Sequence, residues 1–130
     1  MSQHSGSCHC GNVAFTIVGE MTEFTTCDCS LCVKKNALML KVHESGFELH
    51  TDWDKLALYQ WNTEVAKHYF CKNCGIYTFH RKRAAPDHFG INVYCLDDVD
   101  LSSIDIRETQ GATMSVECVS PRPQWPGPRR

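Results

Sequence analysis

The sequence predicts an all-β domain of short antiparallel strands. Two observations lead there: short apolar segments recur between turn residues, and no window carries a long helical periodicity. The first segment, Val13 to Ile17, alternates large apolar with small or polar residues, the period of a half-buried strand. Gly11-Asn12 before it and Gly19 after it are turn punctuation. Similar segments run over 37–42, 47–50, 56–61, 65–70, 76–80 and 89–94, divided by stretches such as Glu44-Ser45-Gly46 and Thr51-Asp52-Trp53-Asp54. A single helical turn is expected after Ser30, whose hydroxyl suits a cap on the N–H groups of Cys32 and Val33; an irregular loop is the alternative. Residues 98–109 read as a polar connecting segment with a strand at Ile104 to Arg107.

At 130 residues, with 42% hydrophobic and 22% charged residues, the chain suits one soluble domain over 1–119. Residues 120–130 carry four prolines, cannot continue a sheet, and are expected to be extended or disordered. Met1 to Ser7 is polar and small, with no apolar stretch for a signal peptide, and Ala37-Leu38-Met39-Leu40 is far too short to span a bilayer. A formal charge of −2 gives no nucleic-acid footprint. The expected setting is cytoplasmic, with no membrane or nucleic-acid partner and no oligomeric state specified.

Seven of the nine cysteines fall in three tight groups: Cys8 and Cys10; Cys27, Cys29 and Cys32; Cys71 and Cys74. An odd total and gaps of one or two residues argue for ligands converging on an ion rather than for disulfides. Cys71-Lys72-Asn73-Cys74-Gly75 has the form of a zinc knuckle, and Cys8-His9-Cys10-Gly11 is a tighter version ending in the same glycine. Together they supply a closed set of four thiolates that would staple the first strand to a central hairpin and contribute folding free energy. Cys27, Cys29 and Cys32 can face a second Zn²⁺ from one side and leave a coordination position open. A histidine such as His50, His68, His80 or His88 would instead close that position and make the site structural. Cys95 and Cys118 are isolated and read as small buried apolar residues.

These motifs, in this order, resemble the family of glutathione-dependent formaldehyde-activating enzymes, which shares its domain with the centromere protein V group. The family pattern is C-x-C-G, then C-x-C-x-x-C, then F-C-x-x-C-G, matched by Cys8 to Gly11, Cys27 to Cys32 and Phe70 to Gly75. The resemblance covers roughly residues 5 to 110. It implies an Mss4-like zinc-containing β-sandwich, a structural zinc on Cys8, Cys10, Cys71 and Cys74, and a catalytic zinc on Cys27, Cys29 and Cys32. It also implies a carbon–sulfur lyase that joins glutathione to formaldehyde as S-hydroxymethylglutathione.

Three thiolates make a soft zinc that favours exchange of another sulfur ligand, and a thiol bound there loses its proton and can attack a small aldehyde. Asp28, Ser30 or a water are candidates to protonate the resulting alkoxide. Lys34 and Lys35, or Arg81-Lys82-Arg83, are candidates to hold the carboxylates of a glutathione-like tripeptide. Two other classes use the same residues. One is a non-catalytic zinc-binding interaction module whose basic tail, with Trp125, contacts a partner. The other is a thiol or metal sensor that releases zinc on oxidation.

Overall fold

Alternating apolar residues need a covered face, and here two sheets cover one another. The computed structural model describes residues 2–20, 24–27, 30–61, 64–83, 85–97 and 99, with the backbone of 106–109. Along them run β1 (Ser2–Ser7), β2 (Ala14–Gly19), β3 (Phe24–Cys27), α1 (Ser30–Lys35), β4 (Met39–His43), β5 (Phe47–Leu49), β6 (Leu56–Tyr59), β7 (Lys67–Cys71), β8 (Tyr77–Arg81), β9 (His88–Asn92) and β10 (Ile106–Thr109). One sheet has the order β1-β2-β5, the other β10-β3-β4-β9-β8-β7-β6. The expected all-β sandwich is what forms. Asp28, Cys29, Cys118 and the tail at 120–130 lie outside the described residues.

Several elements differ from the sequence expectation. The polar stretch Ser2–Ser7 is a strand, paired antiparallel with β2 from Ser2↔Gly19 to Ser7↔Ala14. β3 also went unsignalled, because four residues are too few to display a period. β10 sits two residues later than expected and pairs with β3 in parallel, an exception to the antiparallel rule elsewhere. β9 stops at Asn92 because its side-chain oxygen accepts the Tyr94 N–H at 3.2 Å and turns the chain into a short 3-10 segment, Val93–Cys95.

Phe79 is the centre of the core. It is fully buried, with Phe47 at 4.7 Å, Phe89 at 5.5 Å and Phe15 at 5.8 Å between ring centroids. Phe15 and Ile17 come from the small sheet, while Leu40, Phe79 and Ile91 come from the large one. Register then decides what the other face of the large sheet carries. Leu40 pairs with Phe24 and Ile91, and Ile91 with Phe79, so these four side chains point to the core. The alternate rows, Thr25–Met39–Asn92 and Lys41–Gly90–His80–His68, point away from it. Cys27, two residues after Thr25, shares that outer face. α1 lies against the same face, with Lys35 reaching His68.

Candidate functional site

The two glycine-terminated knuckles fold alike. The Cys8 N–H donates to the Val13 carbonyl and the Cys71 N–H to the Ile76 carbonyl, each at 3.0 Å. Gly11 and Gly75 sit at φ of 84° and 77°, the left-handed region that side-chain-bearing residues disfavour. Backbone donors point at the sulfurs: Val13 N–H to Cys8 Sγ at 3.3 Å, Asn73 N–H to Cys71 Sγ at 3.3 Å and Cys74 N–H to the same sulfur at 3.5 Å. The fold brings Cys8, Cys10, Cys71 and Cys74 together, with all four sulfurs within 4.8 Å of one another. Cys8 Sγ lies 3.7 Å from Cys10 Sγ, which lies 3.7 Å from Cys71 Sγ. Sulfurs bound tetrahedrally at ~2.3 Å stand about 3.8 Å apart, so this donor set fits a metal such as zinc. Cys8 and Cys10 belong to the β1–β2 connection, Cys71 ends β7 and Cys74 lies in the β7–β8 connection, so the group bridges the two sheets.

Cys27 ends β3 and Cys32 lies in α1, both half-buried. They are not part of the four-sulfur group. Cys95 is buried and outside that group as well, its thiol donating to the Tyr77 carbonyl at 3.5 Å. His50 and His88 are engaged elsewhere, His50 with Thr16 Oγ1 at 2.5 Å and His88 with Asp87 at 2.8 Å.

The outer face of the large sheet, which Cys27 shares, holds a polar cluster of different make. Lys35 Nζ stands 3.2 Å from His68 Nδ1 and 3.9 Å from the centroid of the Tyr77 ring. Tyr77 Oη stands 2.6 Å from His80 Nδ1. The His68 and His80 rings stack across β7 and β8 at 5.1 Å, inclined by 21°. Asn92 Nδ2 donates to the Tyr77 carbonyl at 2.9 Å and ties the start of β8 to the end of β9.

A family model, glutathione-dependent formaldehyde-activating enzyme, matches residues 3–121. The chain belongs to this family. A crystal structure of a Rhodobacter sphaeroides protein is similar in fold, with a TM-score of 0.73 and 34% identity, covering 81% of this chain and 99% of that one. Among the described residues of this formaldehyde-activating domain, no helix is long and apolar enough to cross a membrane.

The electrostatics of the domain separate the two places. In the four-sulfur group, the Ile76 N–H chiefly holds the Cys74 thiol down at about 6, and the Asn73 side chain chiefly lowers Cys10. Burial pushes Cys8 up to about 11. Burial also raises Cys95 to about 12, helped by the neighbouring charges of Cys8 and Cys74. On the outer face burial pushes His68 down to about 3, with the Lys35 charge adding to it. Burial likewise holds His80 well below the usual histidine range, followed by the charges of Lys35, His68 and Lys82, and it raises the Tyr77 phenol. Both imidazoles are therefore neutral at neutral pH.

Two sequence assignments change in this light. Lys35 is turned inward on His68 and Tyr77 rather than offered to a ligand carboxylate, while Lys34 stays exposed. Arg81 is committed to Glu44 Oε2 at 2.6 Å and to the face of Phe89 at 4.1 Å. Nothing in the sequence marks Tyr77, since an aromatic residue opening a strand gives no signal of a polar role. The sequence marks His68 and His80 only as possible zinc ligands. Their equal place in the β7–β8 register could have marked them as a pair.

Acid should destabilise the domain through His68. A histidine titrates near 6.5 in the unfolded chain but near 3 here, so below pH 6.5 the unfolded state takes up a proton that the folded state refuses. The stability is complete above pH 6.5 and falls as pH drops toward 3. Between pH 7 and pH 5 this one group accounts for about 2 kcal/mol. Urea unfolding at both pH values should show that extra loss in the parent protein relative to His68→Gln. Equal losses would mean that His68 is protonated in the fold.

Proposed function

We propose that this chain catalyses addition of a glutathione-like thiol to formaldehyde, giving an S-hydroxymethyl thioether, at the middle cysteines. Family membership supports the reaction class. The observation that carries the location is the shared outer face. Cys27 on β3 belongs to the same face of the large sheet as the Lys35–His68 and Tyr77–His80 pairs, and Cys32 to the helix α1 that carries Lys35, whereas the four-sulfur group consists of two linked knuckles between the sheets. In this reading Cys8, Cys10, Cys71 and Cys74 hold a structural zinc. Cys27, Cys29 and Cys32 hold a second, catalytic zinc as three thiolates. A zinc there supplies a Lewis acid that keeps a thiol ligand as its thiolate at neutral pH.

The chain's own residues supply the rest. Cys27 and Cys32 set the reacting thiol against the polar cluster. α1 partly covers the outer face, which lowers the local dielectric and strengthens every charge interaction made there. Lys35 brings a positive charge into that setting and offsets the negative charge of the thiolates. Ser30, at the start of α1, remains a candidate proton source through water. The activity is that of a carbon–sulfur lyase acting in a reducing, cytoplasmic setting, and the domain spans 1–119 with the proline-rich tail outside it.

Zinc content combined with exchange NMR of a glutathione–formaldehyde mixture tests this. Two zincs per chain and exchange between free and hydroxymethylated glutathione faster than the spontaneous reaction are expected. Two tightly held zincs that glutathione does not perturb, with no acceleration, would instead make the chain a binding module.

A further inference from the structure

Lys41 is the exposed member of an otherwise covered surface. On the outer face of the large sheet it stands in register with Gly90, Gly90 with His80, and His80 with His68. Those three residues are buried, as are Met39 and Asn92 in the row before, whereas Lys41 is open to solvent although β4 lies inside the seven-stranded sheet. Gly90 puts no side chain between Lys41 and the His80 imidazole, and a Cβ there would stand 2.8 Å from His80 Nδ1. Among the described residues Lys41 makes no hydrogen bond, ion pair or ring contact. The nearby carboxylates are already taken. Asp87 lies 2.8 Å from His88 Nδ1 and 3.4 Å from His43 Nε2, and Glu44 Oε2 stands 2.6 Å from Arg81. Lys35, the cation of the polar cluster, is turned onto His68 and Tyr77. Lys41 is therefore a cation without an anion of its own, at the rim of the face that Cys27 shares.

We infer that Lys41 selects the thiol substrate, by pairing its ammonium with a carboxylate of an acidic thiol peptide whose sulfur lies at the middle cysteines. This rests on the thiol–aldehyde reading and deepens it, since it names what the thiol must carry. The span suits such a ligand. Cys27 and Lys41 lie on adjacent strands, two residues to either side of the Thr25↔Met39 pair. Four residues of rise and one strand spacing put their Cα atoms about 14 Å apart. A lysine side chain and a peptide of two or three residues, at about 3.5 Å per residue, cover that distance together. Electrostatics favours the same arrangement. Three thiolates on one zinc leave a net negative centre that repels an anionic thiol, and a cation at the rim offsets the repulsion. An ammonium is a point charge that takes a carboxylate without a fixed fork geometry, which suits a contact open to water. Lys41 makes and breaks no bond in the reaction. It contributes the same binding before and during the chemical step, which lowers KM and leaves kcat alone.

The test titrates the full chain, zinc-loaded, with S-methylglutathione, which keeps both carboxylates and has no free thiol, and with its dimethyl ester, followed by ¹⁵N NMR. The parent should bind the acid about 10-fold more tightly than the ester, a preference that shrinks as salt is added. Lys41→Met should bind the two alike, and Lys41→Arg should keep the preference. An undiminished preference in Lys41→Met, or its loss in Lys34→Met instead, overturns the proposal, as does a parent that binds neither ligand. These readouts need no catalysis, so a parent without thiol–aldehyde activity sinks the reaction and leaves the anchor standing. In an active protein Lys41→Met should raise KM for glutathione about 10-fold with kcat unchanged, and leave KM for 2-mercaptoethanol as it is. A fall in kcat at unchanged KM would put Lys41 in the chemical step and overturn its role as an anchor.

Discussion

Serine in place of Cys71 is expected to abolish the folded domain. Cys71 is fully buried, takes N–H bonds from Asn73 and Cys74 on its sulfur, and stands 3.7 Å from Cys10 Sγ. A serine hydroxyl stays protonated at neutral pH and is a poor zinc ligand, so three sulfurs would be left without the zinc proposed to draw them together. Structural zinc sites of this kind contribute about 10–16 kcal/mol, as much as the whole stability of about 5–15 kcal/mol typical of a domain. The loss would fall on the only four-sulfur group that, among the described residues, links the β1–β2 connection to the end of β7 and the β7–β8 connection. Circular dichroism and zinc content check it: Cys71→Ser should lack a cooperative melt and a chelator should reproduce that state in the parent. A variant that melts at the parental temperature with one zinc fewer would show that the core holds the sheets together unaided.

Cys32→Ser should do the opposite, removing activity and leaving the fold. Cys32 is half-buried on a six-residue helix that contributes no buried residue to the core. On the proposed function, losing Cys32 removes a ligand from the middle set and should reduce the zinc content from two to one. Lewis-acid assistance is worth several kcal/mol, so the catalysed rate should drop by about 100-fold or more, to the spontaneous background. Thermal melting should stay within a few degrees of the parent. If Cys32→Ser retains the parental exchange rate, the chemistry lies elsewhere in the domain. If both zincs and the activity vanish along with the fold, the two cysteine groups are not independent.

The contrast between these variants turns on what was legible in the chain. Phe15, Ile17 and Phe79 sit in alternating segments, and those segments are strands of the two sheets because alternation leaves one apolar face to cover. Ser2–Ser7 carries no such alternation, so its strand could not be read; its pairing with β2 comes from backbone hydrogen bonds, which are indifferent to side chains. Lys35 reads together with Lys34 as a candidate for ligand carboxylates, yet a helix advances about 100° per residue and aims the two apart.

Local spacing alone determined which cysteines can act together from one side of an ion, since a gap of one or two residues limits where the sulfurs can go. It also determined the knuckle glycines at 11 and 75, whose backbone angles few other residues tolerate. Only the tertiary structure decided which groups meet. Cys10 and Cys71 are 61 residues apart, and Lys35 and His68 are 33 apart. Those meetings depend on strand register across two sheets, where a slip of one residue would send every side chain to the opposite face. The histidine pair exists for the same reason, as His68 and His80 face one another only in the register that buries Phe79.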